Sequence, residues 1–284
     1  MIRLGVVSFL NSRPLIAGLE ADDRVDLRFD VPAALPALLD CGVVDVALVP
    51  VIDVLRSRGG LTVVSDACIG CDGETMTVRV FSRVPPDRIR TLHVDGDSHT
   101  SVALARVLWR ALYGVTLEVQ PFDARRTPPD ALPAVLLIGD KVVDPRRGRF
   151  AYEVDLGGAW YQQTGLPFVF AVWARRATRA AGADPPPDHV RALLEAARDR
   201  GVAQAAAIAH EVGPRLGWPA ALAERYLTRC LTFRLDARAV AGVGAFASAC
   251  RAEGLVPEDA TAVAWPVAAA ATPVAAAAPV GDAG

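Results

Sequence analysis

Three short polar clusters hold the side chains that could do chemistry. Ser8, Asn11, Ser12 and Arg13 follow the first apolar run, and Ser98, His99, Thr100 and Ser101 precede a long patterned stretch. Gly139 and Asp140 close the run Ala134–Ile138. Hydroxyls and backbone N–H groups gathered at a helix start suit a carboxylate or phosphate, because that end carries partial positive charge and unpaired donors. Ser98 or Thr100 could equally cap the helix and bind nothing. His99, with an ordinary pKa of ~6.5, fits a general base or a surface histidine. Asn11 offers a neutral donor and acceptor, and Arg13 either a cation for an anion or a solvent-facing charge. Asp140 reads as a base or as a loop carboxylate satisfying nearby N–H groups.

These clusters fall at the ends of expected strands, where α/β sheets bind ligands. Ile2–Phe9, Val25–Phe29 and Val43–Val49 read as strands, with helices over Leu15–Leu19 and Pro32–Leu39 between them. That order favours a parallel sheet with right-handed crossovers. A β-rich run spans Leu61–Arg83, and the pattern then restarts. Leu92–Val94 is a strand, Val102–Tyr113 an amphipathic helix stopped by Gly114, and Leu117–Val119 and Ala134–Ile138 are further strands. Two such units suggest two lobes, with Phe168–Trp173 returning the chain to the first. After a stiff Pro185-Pro186-Pro187 entry, helices are expected over Val190–Arg200, Val202–Leu216, Ala220–Cys230 and Ala237–Glu253. The expected division is 1–83 with 171–262 as one lobe, 84–170 as the other, and 263–284 as a disordered Ala/Pro-rich tail.

Composition removes several function classes. The 284 residues carry 30 Lys+Arg against 32 Asp+Glu, a net charge of −2 that leaves no electrostatic footprint for nucleic acid or an anionic membrane. At 52% hydrophobic the chain can bury a core, yet no run approaches the ~20 apolar residues of a membrane span. The N-terminus lacks the features of a secretory signal, so a cytoplasmic location is expected. Of the five cysteines, Cys68 and Cys71 have the spacing of half a zinc or redox site. No second pair accompanies them, and the expected reading is buried thiols with no metal. Neither G-x-G-x-x-G nor G-x-x-x-x-G-K-[ST] occurs, so no nucleotide cofactor is indicated, and G-x-S-x-G is absent too.

Longer segments carry a family likeness. Ser8-Phe9-Leu10-Asn11, Asp45-Val46-Ala47-Leu48-Val49-Pro50, Cys71-Asp72-Gly73 and Ser98-His99-Thr100-Ser101-Val102-Ala103-Leu104 occur in order. Leu137-Ile138-Gly139-Asp140, Asp155-Leu156-Gly157, Trp160 and Thr164-Gly165-Leu166-Pro167-Phe168-Val169-Phe170-Ala171 follow. In this register the chain resembles the chorismate dehydratase family of the futalosine route to menaquinone, from about residue 2 to about residue 255. The resemblance implies a two-lobed periplasmic-binding-protein type II fold, with the ligand cleft between α/β lobes. It also implies loss of water from chorismate to give 3-[(1-carboxyvinyl)oxy]benzoate, with no cofactor.

The same resemblance assigns active-site roles to Asn11 and to Thr77, where serine is the more usual residue. Ser98, Thr100 and Ser101 would bind a substrate carboxylate, and His99 stands where the family often has arginine. Ser8, Arg13, Gly139, Asp140 and Phe168 complete the expected substrate contacts. No carboxylate or histidine in the motifs is an obvious base, so the substrate's enolpyruvyl carboxylate is expected to take the ring proton; Asp140 or Glu153 is the rival. Two other functions compete. One is 1,4-dihydroxy-6-naphthoate synthase of the same pathway, and the other is a small-anion solute-binding protein without catalysis. Apolar residues on the C-terminal helices would permit a homodimer.

Overall fold

The structure is a computed structural model describing residues 1–124, 126–177, 187–260 and 262–267. In the first third of the chain, strands β1 (Ile2–Val7), β2 (Val25–Asp30), β3 (Val46–Pro50) and β4 (Leu61–Cys71) alternate with helices α1 (Leu35–Asp40) and α2 (Val51–Arg56). The middle holds β5 (Val78–Ser82), β6 (Thr91–Val94), α3 (His99–Tyr113), β7 (Glu118–Pro121), β8 (Ala134–Ile138), β9 (Tyr152–Asp155) and α4 (Leu156–Thr164). After β10 (Phe168–Arg176) come α5 (Pro187–Ala203), α6 (Ala205–Val212), α7 (Ala220–Arg225), β11 (Thr232–Arg234) and α8 (Ala237–Ala252).

Two sheets result. The larger runs β11-β4-β10-β3-β1-β2 and the smaller β7-β6-β8-β5-β9. β1 pairs in parallel with β2 and β3, and β6 with β7 and β8. β10 runs antiparallel to β3 and β4, and β5 runs antiparallel to β8 and β9. Every residue of β3 and β8 is buried, as expected of strands covered on both faces. The carboxyl ends of β1, β6 and β8 carry the three polar clusters.

Several boundaries differ from expectation for local physical reasons. β5 belongs to the smaller sheet and all of β10 to the larger, so the chain changes sheets over 72–77 and 156–167, before the expected breaks at 83/84 and 170/171. Strand periodicity shows which residues face a core and does not show which sheet a strand joins. The helix expected at Leu15–Leu19 is instead a 3₁₀ segment over Leu10–Ile16. There Ser12 Oγ donates back to the Val7 carbonyl at 2.5 Å and lies 3.0 Å from that of Phe9, tightening the turn. α3 starts at His99 rather than Val102, because Ser98 Oγ accepts from the Ser101 N–H and becomes the N-cap.

The C-terminal helices cover the larger sheet. The helix expected over Val202–Leu216 breaks at Gln204 and stops at Gly213 ahead of Pro214. The one expected over Ala220–Cys230 changes after Arg225 into a π-helical turn, Tyr226–Cys230. α5 lies against the 3₁₀ segment so closely that a Cβ on Gly201 would sit 1.8 Å from the Pro14 carbonyl oxygen. Val263 and Trp265, expected in the tail, pack on the core, and Arg191 donates to the Pro266 carbonyl at 3.2 Å. Residues 268–284 and Pro185-Pro186 lie outside the described residues. No helix among the described residues is long and apolar enough to cross a membrane.

Candidate active site

A small cavity lies where the two sheets meet, and its polar lining comes from five separate segments: Asn11, Thr75 with Thr77, Ser98 with Ser101, Gly139 and Tyr226. Each is held by a local device. Asn11 follows Leu10, whose N–H donates to Asp140 Oδ1 at 3.2 Å. Its own Oδ1 is buried with no hydrogen-bond partner among the described residues. Thr77 leaves the sheet crossing through Met76, a non-glycine residue at φ +68°. Such a conformation survives when its surroundings fix it, and Asp155 does so. Its carboxylate accepts from the N–H groups of Thr75 at 2.9 Å, Met76 at 2.7 Å and Gly158 at 2.9 Å, capping α4 as well.

Ser98 caps its helix and also lines the cavity. Its Oγ caps α3 at 3.1 Å from the Ser101 nitrogen and also donates to Ser101 Oγ at 2.9 Å, while both side chains line the cavity. No Asp, Glu, His, Lys or Arg among the described residues lines it. An anion entering there meets neutral donors and the positive end of a four-turn helix. Thr77 Oγ1 lies 2.6 Å from the Tyr226 hydroxyl, and the Tyr226 ring stacks on Trp218 at 4.9 Å with the planes 11° apart. Burial pushes the Tyr226 pKa well up, so it stays a phenol.

Five of the expected residues, Asn11, Thr77, Ser98, Ser101 and Gly139, meet at this cavity; six do not line it. Ser8 continues the pairing of β1 with β2, its N–H donating to the Asp30 carbonyl at 2.9 Å. Arg13 reaches Glu20 at 3.3 Å and lies over the Phe29 ring at 4.6 Å. Thr100 donates to the Phe170 carbonyl at 3.2 Å and accepts from the Ile52 N–H at 3.3 Å. Phe168 packs into an aromatic cluster with Trp160, Phe170 and Phe246, and a register shift between Val169 and Ala171 makes Phe170 the wall residue. The expected reading had no place for Tyr226, Trp218 or Thr75. Tyr226 stands in an expected helix whose apolar spacing looks like ordinary core, and Trp218 in the Gly217-Trp218-Pro219 break between two expected helices. Cys68 and Cys71 are buried in β4, and burial drives both thiol pKa values up.

Asp140 accepts on one oxygen from both the Leu10 N–H and Trp218 Nε1, the latter at 2.9 Å. It therefore ties the smaller sheet to β1's exit and to the C-terminal helices. Burial raises its pKa, and the two donors and Arg13 counter this. Because Asn can present one oxygen to the same two donors, Asp140→Asn is expected to keep kcat within about fivefold of wild type, whereas loss of a general base removes about 10²–10⁴. Steady-state kinetics decide between these, and loss on the larger scale would make Asp140 the base. Glu153 is further from that role: it pairs at the surface with Arg79 at 3.1 Å and Arg147 at 3.5 Å.

His99 points away from the cavity, with Nδ1 2.8 Å from Asp53 on α2 of the other sheet. The Asp53 hydrogen bond raises its pKa, partly offset by burial. A raised folded pKa gives a contribution that is full below the ordinary ~6.5 and is lost as pH rises through the folded value. Its imidazole is expected to titrate above ~6.5 by NMR and to return there in Asp53→Asn. At 43% side-chain exposure the pair is a weak fastening between the sheets, not a source of much stability.

The cavity leaves only about 40 Å³ for solvent. Sites for drug-sized ligands run to about 300–1,000 Å³. A ring acid therefore enters only if the sheets move apart. Among the contacts to be broken are the Asp140 bonds, the His99–Asp53 pair, the Thr100 bonds to Ile52 and Phe170, the Ala33 N–H bond to the Asp97 carbonyl at 3.0 Å, and the Phe9 ring packed on Gly139.

The comparisons with known proteins agree with this architecture. The family described as menaquinone biosynthesis matches residues 2–252. A chorismate dehydratase from Thermus thermophilus is 29% identical over 262 residues, covering 87% of this chain and 94% of its own. Among solved structures, AF1704 from Archaeoglobus fulgidus aligns with a TM-score of 0.68 at 14% identity over 90% of this chain and 98% of its own. The alkanesulfonate-binding protein SsuA from Xanthomonas axonopodis pv. citri, bound to MOPS, gives 0.64 at 16% identity over 91% and 95%. At such identities the structures show the fold alone: the two-lobed periplasmic-binding-protein type.

Proposed function

Because the chain belongs to the menaquinone biosynthesis family, we propose that it is a chorismate dehydratase, a lyase giving 3-[(1-carboxyvinyl)oxy]benzoate. The observation that carries this reading is the meeting of Asn11 and Thr77 in one cavity walled by neutral donors. The curated relative at 29% identity supports the same substrate.

Dehydration asks little of the protein beyond positioning. The hydrogen on the ether-bearing ring carbon leaves as a proton, its bonding pair enters the ring, and the neighbouring C–O bond breaks as the ring becomes aromatic. With Asp140 and Glu153 engaged outside the cavity, the proton acceptor in this proposal is the enolpyruvyl carboxylate of the substrate itself. That proton then leaves with the departing hydroxide as water. Thr77 donates to the leaving oxygen, Asn11 Oδ1 accepts the hydrogen it carries, and the N-terminus of α3 with the Ser101 hydroxyl, oriented by Ser98, holds a carboxylate. The closed sheets keep the enolpyruvyl arm from folding onto ring positions where it would bond.

The test is direct. Purified protein mixed with chorismate is expected to yield a product lighter by one water, with benzoate absorbance, in the absence of added cofactor. Chorismate that binds and is recovered intact would make the protein a binding protein and overturn the reading.

A further inference from the structure

The Thr77 hydroxyl has one hydrogen-bond partner among the described residues, the Tyr226 hydroxyl at 2.6 Å. Both groups are buried to 1% exposure. A phenol O–H buried without an acceptor is destabilising by about 1–3 kcal/mol, so its proton must go somewhere. The other side-chain oxygen nearby, Asn11 Oδ1, has no hydrogen-bond partner among the described residues and so does not take that proton. The acceptor left for the Tyr226 proton is Thr77 Oγ1. Once Thr77 accepts, its own proton is free to point into the cavity that both residues line.

We propose that Tyr226 is a positioning residue that donates its hydroxyl proton to Thr77 and thereby fixes Thr77 as a donor toward the leaving oxygen. This rests on the dehydratase reading and adds a residue to it. The backbone supports the role. Tyr226 opens the π-helical turn Tyr226–Cys230 where α7 would otherwise continue, and single π turns inside helices recur at functional sites. Its ring is clamped flat on Trp218, whose Nε1 is in turn fixed by Asp140. The hydroxyl is thus held by packing on one side and pairing on the other. Threonine at position 77 adds a second constraint, since branching at Cβ restricts χ1 and keeps Oγ1 on the Tyr226 side.

The test is a kinetic double-mutant cycle on the full chain with Thr77→Val and Tyr226→Phe. Tyr226→Phe keeps the ring on Trp218 and is expected to lower kcat about tenfold with KM little changed. In the Thr77→Val background the same change is expected to cost less than about twofold, because the bond it removes is already gone. Equal losses in both backgrounds, an unchanged kcat, or a loss confined to KM would each overturn the proposal. Wild-type turnover of chorismate is measured alongside; its absence defeats the dehydratase reading and not the bond. The bond has a readout that needs neither turnover nor the Phe variant. By NMR of the free protein, the Tyr226 hydroxyl proton is expected as a slowly exchanging signal that shifts in Thr77→Val; a fast-exchanging, unshifted proton overturns the proposal.

Discussion

Asn11→Ala is expected to lower kcat for chorismate dehydration by about 10²–10³, the usual loss when one preorganised hydrogen-bonding group of a closed site is removed. The expectation comes from how Asn11 is held and what it lacks. Ser12 is pinned to the Val7 carbonyl, and the Leu10 N–H is held by Asp140, so the residues on either side are fixed before any ligand arrives. Among the described residues the buried amide oxygen nonetheless has no partner. Leaving a buried acceptor unmade is unfavourable by about 1–3 kcal/mol, and a ligand hydroxyl that fills it recovers that amount. Chorismate brings such a hydroxyl, and it is the one that departs. The loss should fall on kcat more than on KM if the bond tightens as the C–O bond breaks. Measured turnover within about threefold of wild type would take Asn11 out of the chemistry.

The part of this site legible in the sequence is the part that each strand carries at its own end. A buried run followed by polar residues places Asn11 after β1, Ser98 and Ser101 after β6, and Gly139 after β8; parallel strands share one carboxyl side within each sheet, and the two sheets turn those sides toward one cavity. Thr77 entered through a family likeness, because its strand approaches from the antiparallel direction and its local pattern marks only a strand. What stayed hidden depends on partners that only the folded chain brings together. Nothing near Arg13 or His99 tells that Glu20, Phe29 and Asp53 take them away from the cavity. Tyr226 lies among alanines and leucines at helical spacing, where an aromatic reads as core, and Trp218 stands in the Gly217-Trp218-Pro219 break between two expected helices, where it reads as a connector. The π turn that aims Tyr226 has no residue signature comparable to a cap or a proline. The register shift that exchanges Phe168 for Phe170 arises between strands, and one strand's alternation cannot announce it.

Gly139→Ala is expected to lower kcat/KM by at least about 100-fold, because the closed state has no room for a methyl group there. Gly139 sits at φ +59°, where an L residue is disfavoured by about 1–2 kcal/mol. A Cβ built on it would stand 2.5 Å from Cδ2 of Phe9 and 2.7 Å from Cγ, well inside contact distance. Phe9 belongs to β1's exit and Gly139 to β8's, so the clash lies across the two sheets and opposes their approach. It also disturbs the site directly: Phe9 lines the cavity, and a ring turned inward would occupy space needed by the substrate. Rescue separates this from a general folding defect. Adding Phe9→Leu removes the ring edge but not the backbone strain, so the double variant should recover much of the lost kcat/KM, while its melting temperature stays near that of Gly139→Ala alone. If Gly139→Ala turned over chorismate like wild type, the close packing of Phe9 on this glycine would not be a requirement of the reacting state. If Phe9→Leu brought no recovery, the backbone at position 139, and not the contact across the cleft, would be what the reaction needs.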